Sequence, residues 1–323
     1  MGTDMTILIT GANGYVAEHT LRQLRALAQQ DAGANLHVRG LVRNPARADK
    51  VRALGAEPII GDVTNLASLV QAMAGVEKVI HLAAVNRDRG EVTMERVNAQ
   101  GTINVVEAAK QAGVKHIINL VGLGADPKRP YPLAYTQGRG VEAIISSGIP
   151  YTILEASVIF GPGDEFLNTL AGLARLPPFM IVPGDGQTKF QPIAVQDVAV
   201  CLVQSLSRPE VINRRLQICG SEVITLEGII DAILAEMGVK RIKLHMPVFL
   251  LKPAVALMDA LLPKPPVTPS LLAQLGVDNV ATDNATTKVF GIEPIKLRAG
   301  ISFVREMSFG KLMARTFGRA EYR

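Results

Sequence analysis

Residues 5–19 read MTILITGANGYVAEH, which joins a short apolar run, a glycine-containing turn and the start of a helical pattern. The apolar run has the length of a buried strand, and apolar residues then recur at helical spacing. Gly11 and Gly14 permit a tight turn and a close approach of the backbone to a pyrophosphate, while the following helix N-terminus offers free N–H groups. Two glycines alone would also suit an ordinary turn, but strand, turn and helix together predict a dinucleotide-binding site.

The first half of the chain alternates strand and helix patterns. Further strand patterns are NLHVRGLV (35–42), EPIIGDV (57–63), EKVIHLAA (77–84), KHIINLVG (115–122) and PYTILEASVIFGPG (150–163). This alternation predicts an α/β fold with a doubly wound parallel sheet of the Rossmann type. After about residue 160, loops rich in Pro and Gly separate short helices. We therefore predict an NADP(H)-binding Rossmann domain over 1–160 and a smaller substrate or lid lobe over 161–323, into which the sheet continues.

The composition narrows the classes of function. The chain has 323 residues, a net charge of +5, 4% aromatic residues and no Trp. It carries no nucleic-acid-binding motif, so the basic excess indicates an anionic cofactor or surface rather than DNA or RNA. Its two cysteines, Cys201 and Cys219, offer neither a disulfide framework nor metal-ligand spacing. This usage favours a cytoplasmic setting and no bound metal.

The sequence predicts neither a signal peptide nor a membrane span. A strand pattern that starts near residue 5 leaves no room for a signal peptide before it. The most apolar stretch, residues 246–266, is broken by Lys252, Pro253 and Asp259. No uninterrupted apolar run reaches the length that a bilayer requires.

The segment after the second strand, GLVRNPARADK (40–50), bears on the choice of dinucleotide. NAD binders usually carry an acidic residue there for the ribose hydroxyls, whereas this chain has Arg43, followed by Arg47 and Lys50. An arginine at this position can hold a 2′-phosphate through charge-assisted, bidentate hydrogen bonds. The segment favours NADP(H) over NAD(H), although a solvated basic helix start would have the same composition.

The stretch YPLAYTQGRGVEAII (131–145) places Tyr135 four residues before Arg139, so both side chains lie on one face of a predicted helix. A tyrosine followed at this spacing by lysine is the proton-transfer pair of a large class of reductases. Arginine is a permanent cation that can favour an ionised tyrosine and bond ribose hydroxyls, but it cannot relay a proton as lysine can. The pair is compatible with a working enzyme, an altered one, or only a cofactor-binding shell.

Several motifs together resemble one superfamily. They are TGANGYVA (10–17), GDVTNLASL (61–69), VIHLAA (79–84), VNAQGTINVVEAA (97–109), YTQGR (135–139) and SVIFGPGD (157–164). In this order they resemble the extended and atypical short-chain dehydrogenase/reductases, which are epimerase/dehydratase-like oxidoreductases. Within that superfamily the chain looks most like the branch that contains the NADPH-binding accessory subunit of respiratory complex I and its bacterial relatives.

The resemblance implies a cofactor site and two catalytic residues, Tyr135 and Arg139. The residues that it assigns to the cofactor are Gly11, Asn13, Gly14, Tyr15, Val16, Arg43, Asp62, Val63, Ala83, Ala84, Tyr135, Arg139, Ala156, Ser157 and Val158. In that assignment the pair at 62–63 flanks the adenine, the pair at 83–84 lines the ribose, and 156–158 border the nicotinamide. His81 is expected to be a hydrogen-bonded core residue. Gln191, Pro192 and Asp197 would shape the substrate cleft, although Asp197 could equally cap a helix.

One residue that this chemistry needs is missing. In reductases of the superfamily, a serine close after the fifth strand polarises the substrate carbonyl. Here Val121 or Gly122 takes its place, and no residue from Leu120 to Ala125 carries a hydroxyl. Loss of such a donor can lower the rate on the order of 10²–10³-fold. The sequence therefore predicts an intact cofactor shell together with slow or absent reduction of ordinary ketones.

Two functions from different classes follow. The first is an NADP(H)-binding reductase-like protein that transfers hydride to or from an apolar quinone- or isoprenoid-like substrate. Tyr135 would be its acid, and the apolar segment from about Pro247 to Leu275 its lid. The second is a non-enzymatic dinucleotide-binding subunit, or an assembly or sensor partner, of a membrane complex. An epimerase or dehydratase acting on a sugar nucleotide fits less well, because the lid is too apolar for a nucleotide diphosphate.

The C-terminal stretch SFGKLMARTFGRAEYR (308–323) predicts a peripheral contact with a membrane or a membrane-embedded partner. Its apolar residues recur at helical spacing and would form one stripe: Phe309, Leu312, Met313 and Phe317. Lys311 and Arg315 would point away from the stripe, and Arg319 would flank its edge. Gly310 and Gly318 fall inside the proposed helix and weaken it. The alternative is a stripe that packs on the protein's own core.

Overall fold

The computed structural model describes residues 5–30 and 36–318. Its strands are β1 (Met5–Thr10), β2 (Leu36–Val42), β3 (Glu57–Ile60), β4 (Lys78–His81), β5 (His116–Gly122), β6 (Tyr151–Ala156), β7 (Ile159–Phe160), β8 (Phe179–Pro183), β9 (Lys189–Phe190), β10 (Ile193–Ala194), β11 (Arg214–Ile218), β12 (Ile224–Thr225) and β13 (Ile242–Met246). Its α-helices are α1 (Tyr15–Gln30), α2 (Ala48–Ala53), α3 (Leu66–Ala72), α4 (Gly101–Ala112), α5 (Pro132–Ile145), α6 (Phe166–Ala174), α7 (Val195–Gln204), α8 (Leu226–Glu236), α9 (Val248–Leu261), α10 (Pro269–Gln274), α11 (Ala285–Lys288), α12 (Leu297–Gly300) and α13 (Phe309–Thr316).

The main sheet is parallel throughout. Of the described strands, seven form it in the order β11-β6-β5-β4-β1-β2-β3, and each neighbouring pair runs in the same direction. The strand order reverses between β1 and β4, so successive connections build outward on both sides of this point. The predicted doubly wound Rossmann fold is confirmed. Sheets of this kind bind ligands at the carboxyl ends of their strands, where the order reverses.

The described residues fall into two compact units. The first runs to Ala156 and also contains Gln196–Ile218 and Asp283–Gly291, so that it holds the whole main sheet. The second contains Ser157–Val195, Cys219–Thr282 and the chain from Ile292. The division at residue 160 was drawn from the change in composition alone and stays a prediction.

Each unit has its own apolar core. In the first unit, the buried faces of the strands meet apolar residues of α3, α4 and α5, among them Leu8, Leu69, Val105, Ile117 and Val141. In the second unit, α6 and α8 pack together over a core that includes Phe160, Leu167, Ile229, Ile233 and Val304. The second unit also contains short strand pairs, in which β10 joins β7, β12 joins β9 and β13 joins β8.

The predicted strand over 150–163 is wrong in its second half. β6 ends at Ala156, and β7 pairs with β10 in the second unit instead of continuing the main sheet. Beyond β6, the Ser157 hydroxyl donates a hydrogen bond to Gln191 O and Val158 N donates one to Asn279 Oδ1, both in the second unit. The apolar stretch 246–266, which Lys252, Pro253 and Asp259 interrupt, contains α9. α9 continues through Pro253, which removes one backbone donor and leaves the remaining turns of the helix in place.

The predicted orientation of the C-terminal helix needs a correction. Arg315 does not point away from the apolar stripe but is 8% exposed, because it forms an ion pair with Glu165 in the second unit. Leu312 is 2% exposed and packs on α6, where a Cβ on Gly172 would lie 2.9 Å from its side chain.

The ends of this C-terminal segment also differ from the prediction. Gly318 lies beyond α13 with a φ of 71°, not inside the helix. Arg319, the predicted edge residue, lies outside the described residues. In the described part of the chain, no helix has both the length and the apolar character needed to cross a bilayer.

Candidate active site

The glycine turn after β1 fits a dinucleotide. Gly11 has a φ of 67°, and a Cβ on it would lie 2.9 Å from the backbone of Ala83, so only glycine suits this position. The turn closes with a hydrogen bond of 2.9 Å from Gly14 N to Gly11 O, and α1 begins at the next residue. Asn13 and Gly14 are exposed at the start of this long helix. A pyrophosphate requires a turn without bulky side chains, so that it can approach the backbone, followed by the N–H groups of a helix N-terminus.

His81, at the carboxyl end of β4, forms a hydrogen bond with Thr10 at the carboxyl end of β1, just before the glycine turn. Thr10 Oγ1 accepts hydrogen bonds from Leu82 N at 3.2 Å and Ala83 N at 3.3 Å, so its proton goes to His81 Nδ1, 2.7 Å away. His81 Nε2 then donates to Thr102 Oγ1 at 2.9 Å. Burial lowers the pKa of His81 to about 4. The side chain is a neutral core histidine that positions Ala83 and takes no part in proton transfer.

The buried His81 makes stability depend on pH. Its pKa is about 4 in the folded protein and 6.5 in the unfolded chain, so its contribution to stability is complete above pH 6.5 and is lost as the pH falls toward 4. We expect the free energy of unfolding to decrease by about 1.4 kcal/mol per pH unit from this group in that window. Urea unfolding of the protein and of His81→Gln between pH 7 and 4 measures the difference. His37→Gln, at an exposed site, is the control, and equal slopes for all three proteins would contradict the prediction.

The residues predicted for the adenine end come together at the carboxyl ends of β2 and β3. Arg43 Nε lies 4.0 Å from Asp62 Oδ2, and the Arg43 side chain is 61% exposed. The Asp62 carboxylate also accepts hydrogen bonds from the backbone and hydroxyl of Thr64, both at 2.9 Å. Val63 is buried against Gly101. Lys50 is held by Glu18 at 2.8 Å, so Arg43 is better placed than Lys50 for a 2′-phosphate.

We expect Arg43→Ala to remove most of a preference for NADPH over NADH. The guanidinium is more exposed than buried, so its bond to a 2′-phosphate is screened and the effect on the ratio of the two dissociation constants should be about tenfold. Titration of both reduced cofactors by fluorescence gives the ratio. Arg52→Ala is the control, because Arg52 is an exposed cation that pairs with Asp49. Equal affinities of the unmodified protein for both cofactors would rule out this assignment.

The structure brings Tyr135 and Arg139 together on α5, but it also gives Arg139 a partner. The Arg139 guanidinium carbon lies 5.9 Å from the centroid of the Tyr135 ring, and the guanidinium forms an ion pair with Glu95. Glu95 begins a π-helical turn that precedes α4. No sequence motif pointed to this carboxylate, because Glu95 and Arg139 are far apart in the chain. Tyr135 is 40% exposed and remains accessible.

The end of β5 separates the two candidates for the missing serine position. Val121 is 6% exposed and belongs to the core of the first unit. Gly122 faces the other way, and a Cβ on it would lie 3.3 Å from Gln137 Oε1. The same Gln137 oxygen accepts a hydrogen bond of 3.0 Å from Gly122 N. A serine hydroxyl could therefore project from position 122 but not from position 121, and Gln137 is a further site residue that sequence reasoning missed.

The remaining predicted residues lie at the carboxyl end of β6 and in the second unit. Ala156 is buried, and its carbonyl accepts a hydrogen bond of 2.7 Å from Leu123 N. Ser157 is buried and Val158 half-buried in the second unit. Gln191 is also buried there, and its Nε2 donates to Gly220 O at 2.8 Å.

These features define a class of protein. A Rossmann sheet, a glycine turn shaped for a pyrophosphate, and a Tyr-x-x-x-Arg pair on α5 together characterise an atypical short-chain dehydrogenase/reductase. The chain belongs to an NAD(P)H-binding family, whose model matches residues 11–209. It is an NAD(P)H-binding, reductase-like protein.

Individual relatives carry varied names. An NAD(P)H azoreductase of Xenophilus azovorans is 26% identical over 72% of this chain and 74% of its own length. The mitochondrial 40 kDa subunit of NADH-ubiquinone oxidoreductase of Neurospora crassa is 24% identical over 72% of this chain and 61% of its own, which agrees with the branch that the motifs indicated. The Escherichia coli NADPH-dependent quinone oxidoreductase QOR2, solved with NADPH, shares the fold with a TM-score of 0.71 at 24% identity, over 90% of this chain and 97% of that one.

Proposed function

We propose that the protein is an NADPH-dependent reductase that transfers hydride to an apolar quinone-like acceptor, with Tyr135 supplying the proton. NADPH would lie across the glycine turn, with Arg43 on its 2′-phosphate. Its dihydronicotinamide carries the hydride, and NADPH, a proton and a quinone would become NADP⁺ and a hydroquinone. The cofactor residues that we propose in the first unit are Gly11, Asn13, Gly14, Tyr15, Val16, Arg43, Asp62, Val63, Ala83 and Ala84.

The observation that carries this proposal is made at the end of β5. Reductases of the superfamily have a serine there, and this chain has no hydroxyl group in its place. Val121 is buried in the core and Gly122 has no side chain, so a substrate carbonyl finds no serine-type donor there. Hydride addition to a ketone produces a localised alkoxide, which needs such a donor. Addition to a quinone produces an aromatic phenolate-type anion, whose charge is delocalised. An acceptor of this kind therefore depends least on the missing group.

The surface of the second unit supports an apolar substrate. The exposed large apolar residues of α9 fall on one face of the helix and are Phe249 (68%), Leu250 (55%), Leu257 (61%) and Leu261 (71%). On the β8–β13 pair, Phe179 lies opposite Ile242 and Ile181 opposite Leu244, and all four are exposed. Soluble surfaces rarely leave so many apolar side chains uncovered unless they bind something. We infer that α9 and the β8–β13 pair offer the second unit a surface suited to an apolar ligand.

The names of the relatives are compatible with this chemistry. One is an azoreductase, another is a subunit of an enzyme that reduces ubiquinone, and the structural neighbour is a quinone oxidoreductase. The decisive experiment follows NADPH absorbance under anaerobic conditions with a short-chain benzoquinone, and with a ketone of similar size. We expect protein-dependent oxidation with the quinone. If NADPH binds but is oxidised no faster than in buffer with any apolar quinone, the proposed activity is wrong.

A non-enzymatic role is the second candidate, and the ion pair between Arg139 and Glu95 favours it. A guanidinium held by a carboxylate is less available to the cofactor than a free lysine would be. In that case the dinucleotide would be a structural or sensory ligand of a subunit of a membrane complex, as the Neurospora relative's name suggests. Deuterium transfer from labelled NADPH separates the two functions, because a purely structural cofactor would retain its label.

We also propose a peripheral membrane contact through α13. Phe309 is 38% and Phe317 49% exposed, although Leu312 is covered by α6. Removing the whole helix would uncover α6, so the test uses Phe309→Ser with Phe317→Ser instead. We expect the unmodified protein to sediment with anionic liposomes at low salt and the double variant to stay in the supernatant. Identical behaviour of both proteins would exclude this surface.

A further inference from the structure

Glu155 is a charged residue on an inner strand of the main sheet. It lies on β6 between Val121 of β5 and Gln217 of β11, and it is 5% exposed. A carboxylate that is removed from water in this way needs a charged or hydrogen-bonding partner. Its partner is Arg215 of β11, whose Nε donates a hydrogen bond of 2.6 Å to Glu155 Oε1 and whose Nη2 forms an ion pair with the same oxygen. Neither residue belongs to the predicted cofactor site.

Arg215 makes a second contact, with the loop that follows β5. Its Nη2 donates a hydrogen bond of 3.0 Å to Ala125 O. The guanidinium therefore joins β6 and β11 to the loop 123–126. The backbone at the start of this loop is attached to β6 as well, because Leu123 N donates a hydrogen bond of 2.7 Å to Ala156 O. The loop is thus held near both of its ends.

The same loop contacts the start of α5. Asp126 N donates a hydrogen bond of 3.0 Å to Ala134 O, in the first turn of α5 and one residue before Tyr135. A Cβ on Gly138 would lie 2.4 Å from the Asp126 backbone, so the helix and the loop pack directly against each other. Interiors packed this closely transmit a displacement instead of absorbing it. A shift of the loop at Ala125 would therefore move the helix turn that carries Tyr135.

We propose that Arg215 is a positioning residue for the proton donor. Glu155 holds its guanidinium, which in turn fixes Ala125 O and, through the loop, the first turn of α5. The inference rests on the proposed reductase function, in which Tyr135 supplies the proton. A proton donor must lie within hydrogen-bond reach of its acceptor, and a displacement of about 1 Å can lower a rate on the order of 100-fold. All of these residues belong to the first unit.

The first arm of the test compares rate with affinity. Arg215→Met removes both contacts and keeps an unbranched side chain. In single-turnover reduction of a short-chain benzoquinone, we expect it to lower the rate about tenfold and to leave the dissociation constant for NADPH unchanged. Arg215→Lys should recover most of the rate, because its ammonium has three donors and can take the place of Nη2, which contacts both partners.

Arg214→Met is the matched control. Arg214 is the preceding residue of β11, so its side chain projects to the opposite face of the sheet, where its Nη1 donates to Glu210 O at 3.2 Å. We expect this variant to keep both the rate and the NADPH affinity of the unmodified protein. An unchanged rate in Arg215→Met, or an equal loss in Arg214→Met, would overturn the proposal.

The second arm separates the positioning of Tyr135 from a general weakening of the fold. In a Tyr135→Phe background the hydroxyl is absent, so its position no longer matters. We expect Arg215→Met to lower the remaining rate less than about twofold in that background, because two changes that act through one group do not add. A tenfold loss in both backgrounds would mean that Arg215 does not act through this tyrosine.

The third arm requires no turnover. Hydrogen exchange, measured by mass spectrometry, follows the amides of Asp126 and Tyr135, which both donate to backbone carbonyls. We expect both amides to exchange faster in Arg215→Met than in Arg214→Met, because the contact that orders them is lost. Equal exchange in the two variants would refute the positioning role. If exchange responds as expected but the unmodified protein reduces no quinone, the reductase proposal fails while the link from Arg215 to the first turn of α5 stands.

Arg215→Met leaves the Glu155 carboxylate buried without its partner, which can prevent folding. In that event Glu155→Leu with Arg215→Met replaces the variant in all three arms. It removes both charges and still lacks a donor for Ala125 O, so the same tenfold loss of rate and the same faster exchange are expected. A double variant with the unmodified protein's rate and exchange would contradict the proposal.

Discussion

Tyr135→Phe is expected to lower the rate of hydride transfer to a quinone about 100-fold. Removing a general acid typically lowers a rate by about 10²–10⁴-fold. The low end applies because the anion formed from a quinone is delocalised and needs its proton less urgently than an alkoxide. Tyr135 is 40% exposed and lies against Arg139, so its hydroxyl is accessible to a substrate. Single-turnover measurement of NADPH absorbance, with enzyme in excess over quinone, isolates this step from product release.

Tyr131→Phe is the matched control for this measurement. Tyr131 precedes the same helix at its N-terminal cap position and makes no side-chain cap bond there. We expect its removal to change the rate less than twofold, and we expect both variants to bind NADPH as the unmodified protein does. A Tyr135→Phe protein that matches Tyr131→Phe in rate would show that the proton comes from solvent or from another residue.

The parts of the fold that depend on local sequence were predictable. β1 and the start of α1 lie where the sequence predicted them, because a strand-length apolar run, a glycine turn and a helical repeat follow one another without ambiguity. β11, with the sequence RRLQI, gave no such signal. Two of its residues are charged, and it becomes a strand of the main sheet only by pairing with β6, more than fifty residues earlier in the chain.

The predictable part of the site follows the same division. Gly11 and Arg43 belong to local motifs: Gly11 has the positive φ of a glycine turn, and Arg43 lies beside Asp62 at the end of β3. Glu95 and Gln137 belong to no motif, and each contacts a partner from another segment of the chain. The burial of Arg315 has the same origin. The position of Arg315 on its helix indicated a solvent-facing side chain. Glu165, which precedes α6, forms an ion pair with its guanidinium, and the Arg315 side chain is therefore buried.

Simple ketones are expected to react about 10²–10³-fold more slowly than a quinone of similar size, because no hydroxyl reaches the carbonyl from β5. The structure indicates which change should add one. Gly122→Ser with Arg139→Lys should raise ketone turnover by up to about 100-fold, since a side chain at 122 projects beside Gln137 and a lysine can relay a proton. Val121→Ser with Arg139→Lys is the matched control.

The two double variants differ only in where the new hydroxyl lies. At position 121 it would enter the apolar core, where the native valine is 6% exposed, so it should lower stability without improving the reaction. At position 122 it would face the side of β5 on which Gln137 lies, 3.3 Å from the new Cβ. Ketone-dependent NADPH oxidation, measured alongside thermal unfolding, distinguishes them. Rapid, Tyr135-dependent ketone reduction by the unmodified protein would mean that another group already polarises the carbonyl, and the preference for quinones would then lose its physical basis.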